Sequence, residues 1–397
     1  MIDREEIIVR SGVRNVYIPN KPIDSVELFC GRQNEVSRII EGINTGGMHV
    51  LLYGDRGVGK TSLSKITCTM LMLNSTITNY HVKICDSSDS FVSIIQSLFQ
   101  DLNIKCSIKS SSSCNFSFLW KLVSFGKNEN TEYISYDNIA SPSWVAKRIA
   151  EFEGVFLIDE IDVLPNYEDK KKIAELIKQL SDKNSKLKIF VVGISKTAGE
   201  LFGGHPSVQR CLKEIRLNRM SDDELKEIIE KGERRLSIAF SQGVKRVIIK
   251  SSAGYPYFTQ LLALKAAEEA VCAESKSVTM NEFRLAVRRA VDDLEGSLKE
   301  QYQKAIIGQR IDRNKNILLA AALCGEDIFL AKELKTNYNT ITKQDISQQE
   351  LNNFLSSSNI ISEGYTTILR RVGKGVYVFN DPRMPSFIKL MNNYIEE

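Results

Sequence analysis

The stretch Gly54-Asp55-Arg56-Gly57-Val58-Gly59-Lys60-Thr61 decides the fold of this chain. It follows an apolar run at 49–53, which predicts a buried strand, and Ser62 begins a segment with helical periodicity. A glycine-rich loop between a strand and a helix is the setting of a phosphate-binding loop. Glycines let backbone N–H groups approach a triphosphate closely, and the start of the helix adds unsatisfied donors. The alternative, a chance glycine-rich turn, lacks this flanking context.

The loop predicts that the chain binds ATP or ADP together with Mg²⁺. Lys60 would reach the β- and γ-phosphates, and the Thr61 hydroxyl would hold the metal ion. The predicted nucleotide contacts in this segment are Gly54, Arg56, Gly57, Val58, Gly59, Lys60, Thr61 and Ser62.

A second apolar run, 155–158, is followed directly by two acids, Asp159 and Glu160. A continuous apolar run that ends in acids is typical of a central parallel strand. We expect Asp159 to hold the hydrated Mg²⁺ opposite Thr61, and Glu160 to polarise the attacking water. The alternative is a solvated acidic turn. The distance along the chain from the phosphate loop favours the functional interpretation.

Two further polar residues are candidates for the catalytic machinery. Ser195 follows the apolar run 190–193, where it would orient water between the acids and the γ-phosphate, or simply cap a helix. Arg210 lies near the end of the predicted sheet domain, where an arginine can reach the γ-phosphate of a neighbouring subunit. The alternative is a solvated surface arginine, and Arg216 and Arg219 compete for the same role.

Composition narrows the remaining possibilities. The chain has 397 residues, enough for two or three domains, and its hydrophobic share of 43% permits a sizeable core. A net charge of +4 does not by itself indicate nucleic acid. Eight scattered cysteines and three histidines make a zinc site improbable. Because we find no signal-type apolar core and no run of ~20 apolar residues, we expect a cytoplasmic protein that does not bind membranes.

The segment 80–85 alternates like a strand, and Ser141-Pro142 predicts the start of a helix. Strands that alternate with helices predict an α/β fold, a P-loop NTPase parallel sheet of AAA+ type. An arm at 1–28, without strong periodicity, precedes this nucleotide-binding domain, which we place at 29–219 with an irregular insertion at about 104–140.

From 220 to 296 the pattern is helical, without a strand, and two capping boxes are predicted, Ser221 with Glu224 and Thr279 with Glu282. This segment would be a small helical lid domain.

The last segment, 297–397, is predicted to be a winged-helix domain. Helical patterns at 314–323, 329–335 and 347–355 precede a two-stranded hairpin that turns at 373–375. Three basic side chains, Arg370, Arg371 and Lys374, lie on that hairpin, and Arg383 follows. Such a cluster can bind the phosphates of duplex DNA through counterion release. Charge clusters are also often only solvated, and docking of a protein is the open alternative.

These motifs, taken in order, resemble AAA+ ATPases of the initiator type, related to origin-recognition ATPases. The segment Phe29-Cys30-Gly31-Arg32-Gln33-Asn34-Glu35 resembles the Gly-Arg-x-x-Glu entry of that group and of archaeal-type ATPases. The resemblance implies that Phe29, Gly31 and Arg32 contact the nucleotide. It also implies that the arm lines the adenine through Ile18 and Pro19.

One feature departs from the initiator pattern. Initiator-type ATPases usually begin a lid helix with an arginine, whereas this chain has Gly254-Tyr255-Pro256. That sequence resembles the Gly-x-Pro lid of STAND signalling ATPases and implies that Tyr255 and Pro256 contact the nucleotide; a plain helix-starting turn is the alternative. It favours a slow switch that forms a homo-oligomer when ATP-bound. Taken with the basic hairpin, we expect a slow, partner-stimulated ATPase that acts on DNA or a DNA-bound partner. The alternatives are a STAND-like sensor with a protein effector, for example in phage defence, and, less favoured, a metabolic kinase.

Overall fold

A computed structural model describes residues 4–104, 106–109, 132–195, 197–202, 206–294, 296–308, 310–325, 328–357, 360–361 and 367–392. The chain divides into two compact units. The sheet unit comprises 32–55 and 60–218, and the helical unit comprises 1–31, 56–59 and 219–397.

The strands of the sheet unit are β1 (His49–Gly54), β2 (Tyr80–Ile84), β3 (Cys106–Lys109), β4 (Glu132–Ser135), β5 (Gly154–Asp159), β6 (Leu187–Ile194) and β7 (Leu212–Leu217). Its main sheet has five parallel strands in the order β2-β5-β6-β1-β7. Three of these, β1, β5 and β6, were predicted as apolar runs, and β2 was predicted from its alternating pattern. The fifth, β7, was missed because Lys213, Glu214 and Arg216 interrupt its apolar positions. β7 lies at the edge of the sheet, where only alternate side chains need to be buried.

Helices pack on this sheet and close its core. Phe91, Phe99, Phe156 and Phe190 are fully buried there, together with aliphatic side chains of the strands and helices. Helices are numbered from α1 (Arg4–Ser11), which belongs to the helical unit. Those of the sheet unit are α2 (Gln33–Asn44), α3 (Lys60–Leu73), α4 (Phe91–Asp101), α5 (Tyr136–Ile139), α6 (Pro142–Ile149), α7 (Tyr167–Asp182), α8 (Ala198–Phe202) and α9 (Pro206–Gln209).

The predicted irregular insertion at 104–140 contains regular structure at both of its ends. β3 and β4 pair in parallel, with Ile108 opposite Ile134, and Ile134 is buried. Helix α5 follows directly. A four-residue strand that pairs across a long connection has no local periodicity to reveal it, so the sequence pattern missed both strands. Residues 110–131 lie outside the described part of the chain.

The helical unit contains the predicted lid helices. The predicted capping boxes, Ser221 with Glu224 and Thr279 with Glu282, are both formed. The expectation of a lid without strands is wrong, because β8 (Ala239–Phe240) and β9 (Ser277–Val278) form a short parallel pair. The lid helices are α10 (Asp222–Leu236), α11 (Gln242–Ser252), α12 (Pro256–Cys272) and α13 (Met280–Asp293), followed by α14 (Gly296–Ile306).

The N-terminal arm, expected to lack regular structure, forms α1 and a 3₁₀ turn at Val13–Asn15. Two carboxylates of α12, Glu268 and Glu269, are 2% and 7% exposed. Glu268 forms an ion pair with Arg14, with a nitrogen–oxygen distance of 2.9 Å, and Glu269 forms one with Arg4 at 2.7 Å. A buried charge is tolerated only when it is paired, so α12 and the arm stabilise each other. That dependence on a partner more than 250 residues away is why the arm has no helical signal of its own.

The C-terminal segment has the element order of a winged helix. The predicted helix at 329–335 is wrong at its start: Ile328–Leu330 is a strand that pairs with the hairpin. Its central residue, Phe329, packs against Tyr377 and Phe379, so burial overrides the local helical pattern. The elements are α15 (Ile311–Ala322), β10 (Ile328–Leu330), α16 (Ala331–Thr342), α17 (Gln348–Leu355), β11 (Leu369–Gly373), β12 (Val376–Phe379) and α18 (Met384–Met391), with sheet order β10-β12-β11.

A parallel sheet with flanking helices confirms the predicted fold class. Within the described residues, every helix is too short or too polar to span a lipid bilayer.

His49, at the start of β1, makes the stability of the sheet unit sensitive to acid. It is 1% exposed, and its Nδ1 accepts a hydrogen bond from the Ile189 amide at 2.9 Å. Burial, assisted by the nearby Lys188 charge, lowers the pKa of His49 from 6.5 to about 3. The unfolded chain therefore takes up the proton first. The free energy of unfolding is fully retained above pH 6.5 and falls as the pH drops towards 3.

We predict that the free energy of unfolding loses about 1.4 kcal/mol per pH unit in this window through His49 alone. The asparagine of His49→Asn can still accept from Ile189 but cannot be protonated. Denaturant unfolding between pH 7 and pH 4 should show that the difference in the free energy of unfolding between the wild type and His49→Asn shrinks as the pH falls. Parallel pH profiles for the two proteins would contradict the prediction.

Candidate nucleotide site

The phosphate loop leaves β1 at a point where only glycine fits. Gly54 has a φ of +154°, and a Cβ placed on it would lie 2.3 Å from the Leu217 carbonyl oxygen. Gly54 and Leu217 are paired residues of the parallel strands β1 and β7. The close approach of β7 therefore requires an unsubstituted backbone where the loop begins.

Lys60 and Thr61 follow the loop as the first two residues of α3. The Lys60 ammonium group donates hydrogen bonds to the carbonyl oxygens of Gly54, at 3.1 Å, and Asp55, at 2.7 Å. Lys60 is only 9% exposed, so a positive charge is held against the loop backbone. An anion at the loop would find this charge and the first amides of α3 together.

Asp159 ends β5 and is 2% exposed. Its Oδ1 accepts from the Glu160 amide at 2.9 Å, while its buried Oδ2 has no hydrogen-bond partner within the described residues. Burial raises the pKa of Asp159 above its usual range, and the nearby Thr61 side chain and Lys60 charge act in the opposite direction. A buried carboxylate oxygen without a partner, beside a threonine hydroxyl, fits the oxygen ligands that Mg²⁺ prefers.

Glu160, the next residue, is exposed and has a φ of +58°. A left-handed backbone at a non-glycine residue costs on the order of 1–3 kcal/mol and persists where the surrounding structure imposes it. The turn directs the chain from β5 into the 3₁₀ turn Ile161–Val163. Two consecutive acids thus occupy different environments: Asp159 is buried, and Glu160 faces solvent.

Ser195 follows β6, the strand between β5 and β1 in the sheet. This order agrees with the position expected for it between the acids and the loop. Its hydroxyl oxygen lies 2.7 Å from Glu200 Oε2 and accepts from the Thr197 amide at 3.1 Å. Sequence reasoning did not single out Glu200, because its proximity to Ser195 depends on the turn before α8.

The tip of the loop, residues 56–59, belongs to the helical unit, and two of its glycines have left-handed backbones. Gly57 has a φ of +83°, and a Cβ there would lie 2.7 Å from Cδ of Arg383. Gly59 has a φ of +96°, and its Cβ would lie 3.8 Å from Cγ of Pro256. A residue before α18 and the predicted lid residue Pro256 are therefore both close to the loop tip.

Arg383 does not extend the basic hairpin into solvent. It is 5% exposed, and its guanidinium group makes two hydrogen bonds to Asp381, at 3.0 and 2.7 Å. Its aliphatic stem faces Gly57. The only sequence signal for this role is the Asp-Pro-Arg triplet before the last helix, which local periodicity cannot interpret.

The arm residues expected near the adenine are held by the lid helices. The Ile18 amide donates to Gln260 of α12 at 3.0 Å, and Pro19 follows it. The Gly31 amide donates to Glu227 of α10 at 2.9 Å, and the Phe29 carbonyl accepts from Lys231. These four predicted contacts therefore lie in the same unit as Tyr255, Pro256 and the loop tip.

Arg32 has mainly structural contacts. It is 6% exposed, donates to the Asn218 carbonyl at 2.7 Å and lies 3.6 Å from Glu35. These bonds tie the start of α2 to the segment after β7. A nucleotide contact by Arg32 stays a prediction.

The candidate arginine fingers differ in environment. Arg210 and Arg216 are exposed in the sheet unit, as a residue that reaches another subunit must be. Arg219 instead stacks on Tyr255, with its guanidinium carbon 4.8 Å from the ring centroid. The finger assignment of Arg210 stays a prediction.

The loop, the buried acid and the parallel sheet define a P-loop NTPase of the AAA+ and STAND type. The chain belongs to the family described as Novel STAND NTPase 1, whose sequence profile matches residues 23–324. The resemblance to STAND ATPases is thereby confirmed. No curated protein sequence matches the chain.

Two solved structures share the fold over nearly their whole length. The Walker-type ATPase PABY2304 of Pyrococcus abyssi is 17% identical, with a TM-score of 0.52, over 93% of this chain and 99% of that chain. The Aeropyrum pernix ORC2 protein, solved as ADPNP–ADP complexes, is 13% identical, with a TM-score of 0.51, over 96% of this chain and 97% of that chain. At these identities the likeness concerns the fold.

We predict that Gly57→Ala lowers the free energy of unfolding by roughly 1–3 kcal/mol, because alanine resists the left-handed backbone and its methyl group meets Arg383. Asp381 prevents Arg383 from moving aside. The control is Gly243→Ala on α11, where a Cβ would meet no neighbouring side chain of the described residues within 4 Å. Thermal unfolding should show that Gly57→Ala lowers the free energy of unfolding by less when Arg383 has already been replaced by alanine. An equal cost in both backgrounds would exclude the steric part of the explanation.

Proposed function

We propose that this protein is an ATP-binding, slowly hydrolysing switch that self-assembles when ATP-bound and acts on DNA or a DNA-bound partner. The observation that carries the proposal is the buried Oδ2 of Asp159, which lies beside Thr61 and Lys60 and has no hydrogen-bond partner among the residues that the structure describes. In a folded protein such an oxygen is costly unless a ligand or water completes its coordination. Mg²⁺ bound with a nucleotide would supply that coordination and neutralise phosphate charge.

Each side chain then has a definite task. Lys60 holds the β- and γ-phosphates, while Asp159 and Thr61 orient the metal. Glu160, which is exposed, accepts a proton from the attacking water and aims that water at the γ-phosphate. Ser195 positions that water, and Arg210 of a neighbouring copy stabilises the charge that develops on the phosphate.

Slow turnover is supported by the lid and by Ser195. The turn Gly254-Tyr255-Pro256 begins the lid helix α12 and thus offers an apolar side chain, Pro256, near the loop tip instead of a cation. The Ser195 hydroxyl is engaged by Glu200 and must be released before it can orient water. Both features favour a protein that changes state on nucleotide exchange over one that hydrolyses rapidly.

The DNA partner is supported by the hairpin between β11 and β12. Arg371 and Lys374 are exposed there, and Arg370 is half-buried. The alternative is a STAND-like signalling or defence ATPase whose winged helix docks a protein effector. It is favoured by apolar side chains of the same small sheet, since Ile328, Leu330 and Val372 are about half exposed.

We predict that Lys60→Ala abolishes nucleotide binding, because the phosphates lose their buried cation. Glu160→Gln should bind Mg·ATP with near wild-type affinity, hydrolyse it 10²–10⁴-fold more slowly and remain oligomeric. The measurements are calorimetry, phosphate release and size-exclusion chromatography with light scattering. Glu151→Gln, an exposed residue of the sheet unit, is the matched control. Wild-type hydrolysis by Glu160→Gln would refute the role of that carboxylate.

We predict that the protein binds random duplex DNA at ~50 mM salt and that the affinity falls as salt is added. In a plot of the logarithm of the binding constant against the logarithm of the salt concentration, the magnitude of the slope should be smaller by about 2 in Arg370→Ala/Arg371→Ala. The control is Arg246→Ala/Lys250→Ala, which removes the same charge from α11. Fluorescence anisotropy measures both. If the wild-type protein binds no DNA at this salt concentration, the protein-effector alternative is favoured.

A further inference from the structure

The turn that begins α12 is built directly against residues 219–220. Gly254 has a φ of +84°, and its carbonyl accepts from the Met220 amide at 2.9 Å. A Cβ on Gly254 would lie 2.5 Å from Cβ of Arg219 and 3.0 Å from the Met220 carbonyl oxygen. The glycine is therefore required by the close approach of the segment before α10.

Arg219 covers the aromatic residue of this turn. Its guanidinium carbon lies 4.8 Å from the centroid of the Tyr255 ring, which is fully buried. Phe258 contacts the ring edge-to-face, with centroids 6.4 Å apart. A guanidinium group over a desolvated tyrosine ring is a favourable cation–π geometry. Arg219 and Phe258 thus both restrict where Tyr255 can lie.

Tyr255 in turn determines the position of Pro256. It is the N-cap of α12, with an extended backbone, and Pro256 is the first helical residue. The proline ring has little freedom of its own, so a shift of Tyr255 moves it directly. Pro256 Cγ lies 3.8 Å from the Cβ position of Gly59 in the phosphate loop. Arg219 thus stacks on Tyr255, Tyr255 positions Pro256, and Pro256 lies close to the loop tip.

We infer that Arg219 is a positioning residue of the nucleotide site: it holds the Gly254-Tyr255-Pro256 turn against the phosphate loop of its own chain. This role rests on the proposed nucleotide binding. This positioning role differs from that of an arginine finger, for which Arg219 was also a candidate. A finger contacts the nucleotide of a neighbouring subunit and acts in the transition state. A positioning residue changes how tightly the nucleotide binds and leaves the chemical step intact.

The test compares nucleotide affinity with turnover in the full-length protein. Arg219→Ala and Tyr255→Leu should each weaken Mg·ATP and Mg·ADP binding by roughly 3- to 30-fold, the range of one cation–π contact. The double variant should bind nucleotide about as tightly as the single variant with the lower affinity, because both substitutions remove the same contact. Arg219→Lys keeps the cation and should restore most of the affinity. Arg246→Ala, which removes an exposed arginine of α11, should bind like wild type.

The kinetic readout separates the two roles of Arg219. At saturating ATP, Arg219→Ala should keep the wild-type kcat while KM rises by the same factor as the Kd. A low kcat that recovers when Arg219→Ala is mixed with Lys60→Ala would overturn the inference, since it would show a residue acting across subunits. Additive losses in the double variant, or a wild-type Kd for Arg219→Ala, would also overturn it.

Two controls keep the result interpretable. Thermal unfolding without nucleotide reports whether a variant is folded, and if Arg219→Ala is not, Tyr255→Leu and Arg219→Lys carry the comparison. Lys60→Ala tests the proposed function separately. If Lys60→Ala binds nucleotide like wild type, the nucleotide-site assignment fails, whatever Arg219 does.

Discussion

The parallel pairing of β5, β6 and β1 is the constraint on which the candidate site depends. Parallel strands end at the same edge of a sheet, so the residues that follow them are brought together whatever their distance in sequence. Gly54 pairs with Ile194, and Ile158 pairs with Val191. These strands are buried on both faces, so a shift of one residue would exchange the side chains that pack against the helices on either side, and the register is well determined. The loop, the acids and Ser195 inherit their positions from that register.

Buried charge is the second organising feature. In the sheet unit, Lys60 is satisfied by loop carbonyls, whereas one oxygen of Asp159 has no hydrogen-bond partner within the described residues. In the helical unit, Glu268, Glu269 and Arg383 are all paired. A buried charge is tolerated when it is paired, whereas a buried carboxylate oxygen without a partner is costly unless a ligand or water completes its coordination. Asp159 is therefore a candidate for contact with a ligand.

Local signals predicted the elements whose stability is local. Both capping boxes of the lid, the helix that starts at Pro142 and four of the five strands of the main sheet were read from short patterns. The missed elements share a dependence on remote partners. Helix α1 needs the carboxylates of α12, β10 needs β12, and the pair β3–β4 joins two ends of a long connection. Their stability comes from contacts that no window of the sequence contains.

The chemistry available to this protein is readable from its residue pattern: a glycine loop with Lys60 and Thr61, two acids after an apolar strand, and Gly254-Tyr255-Pro256 at the start of a lid helix. Each of these motifs is short and keeps its residue types at fixed local spacing, so each can be recognised without the fold. The tertiary structure adds that Arg383 lies on Gly57, that Arg219 stacks on Tyr255 and that Glu200 lies beside Ser195. These contacts join residues whose types are common and whose spacing is arbitrary, because packing, and not local backbone geometry, brings them together.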